Sequence, residues 1–188
     1  MKKVIIGFSM LFLAVLGMQC SPPDDDVYWN NVEVEIKDAI KVENKANYIV
    51  GDTLFFELNF SRYLEEEGYS NLLDIYETSG VDEFTYSFGL LKYSAFSDIY
   101  EGVNIDDQYI IAEKGLIGDY SQPSAILNSN KDTYESRIGI ILKEEGEYQL
   151  DFDYMYISSA YNTDKPRVGL NHIISEANPL LLNFTVSK

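Results

Sequence analysis

Apolar and polar residues alternate with a period of two along much of this chain. That spacing, more than any other feature, limits what the chain can fold into. In residues 53–60, Leu54, Phe56, Leu58 and Phe60 share one face and Glu57 and Asn59 the other. Phe84, Tyr86, Phe88 and Leu90 alternate with Thr85, Ser87 and Gly89, and Val32, Val34 and Ile36 with Glu33, Glu35 and Lys37. Leu180, Leu182, Phe184 and Val186 repeat the pattern at the end of the chain. Successive side chains of a strand point to opposite faces, so each run reads as a strand with one buried side. Further strands are expected at residues 72–76, 109–113 and 137–142, and from Tyr148 through Leu150, Phe152, Tyr154 and Tyr156. Fifteen tyrosines and ten phenylalanines suit strands. No segment carries a long helical period. About seven to eight strands around one core predict an all-β antiparallel sandwich, with an up-and-down barrel as the alternative.

The first nineteen residues belong to a different class of segment. Lys2 and Lys3 precede a nearly all-apolar run from Val4 to Met18 that no acid interrupts. A charged start followed by a short apolar run is a removable secretory signal, and the run is shorter than the ~20 residues a spanning helix needs. Gly17-Met18-Gln19-Cys20 resembles the lipobox of bacterial lipoproteins, departing from it in the large Gln19. The resemblance implies cleavage before Cys20 and lipid on its thiol. Cys20 is the only cysteine, and an exported chain with one cysteine leaves a thiol that lipidation would explain. Ser21, two prolines, and Asp24, Asp25 and Asp26 follow. This resembles the export signal of surface lipoproteins in the Bacteroidota, which implies a place on the outer face of the outer membrane. The expected organisation is a signal peptide at 1–19, a lipidated and acidic tether at 20–29, and one β-domain at 30–188.

Removing residues 1–19 takes away two lysines (14 − 2 = 12) and no acid. That leaves 31 acidic against 12 basic residues, a formal charge of −19. Such a chain repels nucleic acid, which is excluded as a partner. The remaining 169 residues suit a single domain that buries roughly 68–70% of its unfolded surface without disulfides.

Gly146-Glu147-Tyr148, with Leu150 two residues on, resembles the tyrosine corner of immunoglobulin-like sandwiches, where a tyrosine hydroxyl ties back to the backbone. An immunoglobulin-like sandwich is what that resemblance implies. Leu150 stands where immunoglobulins carry their second cysteine.

Catalytic signatures are sparse. His172 is the only histidine, so a Ser-His-Asp triad would have to use it. Its neighbours place it in or beside a loop, and no catalytic role is assigned to it. A zinc site usually draws on several His or Cys side chains. Asp106 and Asp107, or Asp151 and Asp153, could offer oxygen ligands to calcium, but none has the spacing of a calcium loop. No metal or cofactor is expected.

Two long loops remain as candidate binding surfaces. Residues 93–108 carry Tyr93, Phe96 and Tyr100, and residues 158–179 carry Tyr161, Lys165, Arg167 and His172. Tyr93, Tyr100 and Tyr161 are the expected ligand contacts, able to stack on sugar rings or anchor a protein. The expected function is a non-enzymatic module, held on the membrane through Cys20, that binds a glycan or an outer-membrane protein. Two alternatives stand beside it: a carboxylate-dependent hydrolase of surface glycans, and a purely structural envelope lipoprotein.

Overall fold

The computed structural model describes residues 31–43, 45, 47–152, 155–162, 164–174 and 181–188, without the side chains of 181 and 182. The expected signal, Cys20, Ser21, and Asp24, Asp25 and Asp26 lie outside the described residues, as do Asp153, Tyr154 and Leu180.

Strands dominate the domain. They are β1 (Asn31–Lys37), β2 (Ile40–Val42), β3 (Asn47–Ile49), β4 (Thr53–Ser61), β5 (Tyr63–Leu64) and β6 (Leu73–Asp74). A five-residue helix, α1 (Ile75–Ser79), precedes β7 (Glu83–Thr85), β8 (Gly89–Ser94) and β9 (Ile99–Gly102). There follow β10 (Ile110–Lys114), β11 (Leu116–Ile117), β12 (Pro123–Leu127), β13 (Thr133–Ile141) and β14 (Gly146–Asp151). The chain ends with β15 (Tyr156–Ser159), β16 (Arg167–Ile173) and β17 (Leu181–Ser187).

Two large sheets form a β-sandwich. The first runs β1-β16-β15-β7-β12-β13-β4-β2, with β10 continuing along β13 and β11 pairing with β12. The second runs β3-β17-β14-β8-β9. The alternation read in the sequence decides which side chains meet between them. Leu54, Phe56 and Leu58 of β4 are fully buried, and they share one cluster with Ile138 of β13, Leu90 of β8, Leu150 of β14 and Phe184 of β17. Each such side chain contributes about 1.5–3 kcal/mol by leaving water.

Residues 84–91, expected as one strand, form two strands in different sheets. β7 pairs with β12 and β15 in the first sheet, and β8 pairs with β14 in the second. The partner segment crosses in step, with β14 in the second sheet and β15 in the first. The ladder that ends at Gly89↔Asp151 resumes at Thr85↔Ser158. Phe84, Tyr86 and Leu90 stay buried throughout, because both sheets face the same core. The period of two therefore passes through the crossing without marking it. Phe56 packs against residues from both crossing segments, its ring centroid 4.9 Å from Phe88 and 5.3 Å from Phe152.

Several other expectations need correction. The sandwich is not wholly antiparallel: β1 runs parallel to β16, and β3 parallel to β17. The described strands number seventeen rather than seven to eight, because the crossings divide two of the expected runs and because β2, β3, β5, β9, β11, β12 and β16 form in segments where no strand was expected. Residues 73–76, within the strand expected at 72–76, are β6 and the start of α1, where the Asp74 carboxylate caps the helix by accepting from Glu77 N–H at 3.1 Å. Residues 114–130, where no strand was expected, contain β11 and the largely buried β12. Residues 93–108 include the hairpin of β8 and β9, and residues 158–179 include β16. Pairing across the sheet holds these segments, whose own patterns are weak. No helix among the described residues is long and apolar enough to cross a membrane.

Candidate functional site

The expected ligand tyrosines are brought together only in part. Tyr93 and Tyr100 face each other across β8 and β9 with ring centroids 5.6 Å apart. The Tyr93 hydroxyl donates to Asp98 at 2.6 Å, and Phe96 stands fully exposed at the hairpin tip. Tyr161 is exposed after β15, in the other sheet, and stacks on neither ring among the described residues. The loop that carries it is fastened to α1. Asn162 donates to Ser79 O at 3.2 Å and Lys165 to Glu77 O at 2.7 Å. Arg167 donates to the Ser158 hydroxyl at 2.7 Å. Asp107 accepts from the Ser121 hydroxyl and Asp106 from Gln108 at 2.9 Å. Among the described residues no three His, Cys, Asp or Glu side chains are grouped to hold a metal.

A deep recess lies elsewhere, between β1 and the excursion from β4 to β6. Its origin is a break in the first extended run. Asp38 takes a left-handed conformation (φ 50°), so β1 pairs with β16 while β2 turns away to pair with β4. Three contacts hold the break. Asp38 N–H donates to Ile173 O at 3.0 Å, Ala39 N–H to His172 Nε2 at 3.1 Å, and Asn59 N–H to Ala39 O at 2.9 Å. His172, expected in or beside a loop, is thus a strand residue whose ring accepts a backbone hydrogen bond. Burial pushes its pKa down, against the opposing pull of the Asp38 carboxylate.

The facing wall is built from residues 63–72. Arg62 anchors it, donating to both oxygens of Asp74 at 2.7 and 2.5 Å while its guanidinium lies 5.2 Å from the Tyr63 ring centroid and 4.8 Å from that of Tyr76. The Arg62 hydrogen bond holds the Asp74 carboxyl below the usual carboxylate range.

The resulting groove has a volume of about 1010 Å³. Val34, Ile36, Phe60 and Leu64 form an apolar floor. Glu33 and Glu35 stand on one rim and Glu65, Glu66 and Glu67 on the other, and among the described residues Lys37 is the only basic one lining it. Tyr63 and Tyr69 are 44% and 71% exposed on the second wall. Glu33 is oriented by the Tyr156 hydroxyl, which donates to it at 2.8 Å across Gly169. A Cβ at Gly169 would overlap both groups, so the close approach requires glycine.

This groove is not legible in the sequence. Three consecutive glutamates before Gly68 were its one visible signal, but nothing local to them indicates that they face β1.

No family model and no curated protein matches the chain. In structure it is similar to the human F-spondin reeler domain, at 11% identity over 87% of this chain and 99% of that one, with a TM-score of 0.36. It is also similar to the PapD-like domain 7 of human CEP192, at 9% identity over 73% of this chain and 87% of that one, with a TM-score of 0.33.

Proposed function

We propose that this chain is a lipid-anchored envelope protein whose β-domain is a non-enzymatic recognition module, with the groove beside β1 as its binding site. The groove carries the reading. It combines an apolar floor, exposed tyrosines and charged rims, the mixture by which a ligand site gains both area and orientation. The anchor rests on the sequence around Cys20, and the outer-membrane surface location on Ser21, Asp24, Asp25 and Asp26.

We read the sandwich as immunoglobulin-like. β2-β4-β13-β12 against β3-β17-β14-β8-β9 follows the strand order of that fold, with its first strand shared between the two sheets. The Tyr148 hydroxyl donates to Glu144 O at 3.0 Å, the tie expected of a tyrosine corner.

The test compares the full lipidated chain in detergent with a Tyr63→Ala/Tyr69→Ala variant, on a glycan array and in pull-downs from envelope membranes. Ligands lost by the variant at unchanged melting temperature identify the groove as the site. Ligands retained by it move the site to the Tyr93–Tyr100 hairpin and overturn the assignment.

A further inference from the structure

We infer that the groove takes an extended peptide of a partner protein, with apolar and basic residues alternating, as an added strand on the free edge of β1. This rests on the groove being the binding site and names the class of its occupant.

The edge is defined by the ladder. Asp38 N–H points to β16, and the register pairs Val34 with Leu170 and Ile36 with His172. Residues two apart on a strand point their backbone groups the same way. The N–H and C=O groups of Val34 and Ile36 therefore face β16, and those of Glu33, Glu35 and Lys37 face the groove. Among the described residues β1 has no strand on that side, and these three meet no backbone partner there. A row of unpaired backbone groups is a template for another strand. At about 3.3 Å per residue the seven residues of β1 present an edge about 23 Å long.

The walls state what the added strand must carry. Its side chains would alternate between two environments. Those pointing inward meet Val34, Ile36, Phe60 and Leu64, and those pointing outward meet Glu35 with Glu65–Glu67 opposite, the Glu33 carboxylate being turned toward Tyr156. Opposite charges directly across a strand pair stabilise it and like charges oppose it. The occupant is accordingly apolar on one face and lysine- or arginine-bearing on the other. The acidic stretch Asp24-Asp25-Asp26 of this chain has the wrong charge for the position.

The probe is a capped heptapeptide alternating valine and lysine, titrated calorimetrically into the full chain. Controls are a valine–glutamate peptide and the lysine peptide with every backbone nitrogen methylated. In the protein, Glu35→Pro removes an outward N–H while sparing the β16 ladder, as proline on an edge can. A Glu65→Gln/Glu66→Gln/Glu67→Gln variant removes charge alone. The expected result is binding of the lysine peptide that weakens with salt and falls about tenfold or more for Glu35→Pro and for the methylated peptide. The triple glutamine variant should also bind it less tightly. The methylated peptide alters nothing in the protein, so it decides the matter even if Glu35→Pro disturbs folding. Should the methylated peptide bind as tightly as its parent while the glutamine variant binds less, the groove attracts charge without adding a strand. The inference then falls and the groove reading stands. An unbound lysine peptide also overturns the inference, leaving the groove to be judged by the Tyr63 and Tyr69 comparison.

Discussion

At the scale of single residues, the break at Asp38 does most to create the groove, and His172 secures it. Its Nε2 can accept from Ala39 N–H only while unprotonated. Burial lowers its folded pKa below the unfolded value of about 6.5. The unfolded chain therefore binds the proton more readily, and the associated stability is fully present above about pH 6.5 and lost as pH falls through the depressed folded value. The melting temperature should decline from pH 7 toward pH 5, at no more than about 1.4 kcal/mol per pH unit for one proton. His172→Asn should remove that component of the slope, as a thermal melt at each pH would show. A wild-type curve flat over this window contradicts the assignment.

At the scale of elements, two devices shape the domain. One is the joint crossing of the β7–β8 and β14–β15 segments, with Phe56 at its centre. Phe56→Ala should cost about 3–5 kcal/mol, the range for an aromatic removed from a packed core, and urea denaturation measures it. The other is the wall from β5 to α1. Asp74 there serves twice, as the cap of α1 and as the partner of Arg62. Because its folded pKa is lowered, its contribution is present above the unfolded value of about 3.9 and disappears as pH falls through the folded one. Asp74→Ala should cost about 1 kcal/mol through the cap alone. It should also raise amide hydrogen exchange in residues 63–77 while leaving β13 and β14 protected. Uniform exchange across the domain would mean the wall does not open independently.

At the scale of the whole molecule, the acidic balance and the N-terminal segment bear on location. With Asp24, Asp25 and Asp26 replaced by alanine, the protein should lose accessibility to external protease on intact cells while remaining in the membrane fraction. Equal accessibility would reduce the three acids to a solvated spacer. Cys20→Ala should release the chain from membranes altogether, which fractionation detects.

The sequence by itself determined that this is a β-domain and which side chains of β1, β4, β7, β8 and β17 face its core, while the buried Ala125, Tyr134, Val168 and Leu170 lie in segments where no strand was expected. Alternation at β1, β4 and β17, and across β7 and β8, is a local property, and burial follows it whatever sheet each strand joins. It also placed Tyr148 to tie back to the turn before β14. Only the tertiary structure decided which sheet each strand enters, where the strands cross, and that β1 and β3 pair in parallel. Those pairings join residues more than a hundred positions apart, as between Val34 and Leu170, and nothing in either segment alone encodes its partner. The groove has the same origin. Its two walls are separate stretches of chain, each ordinary in sequence, and a single backbone break at Asp38 sets them apart and leaves an edge between them.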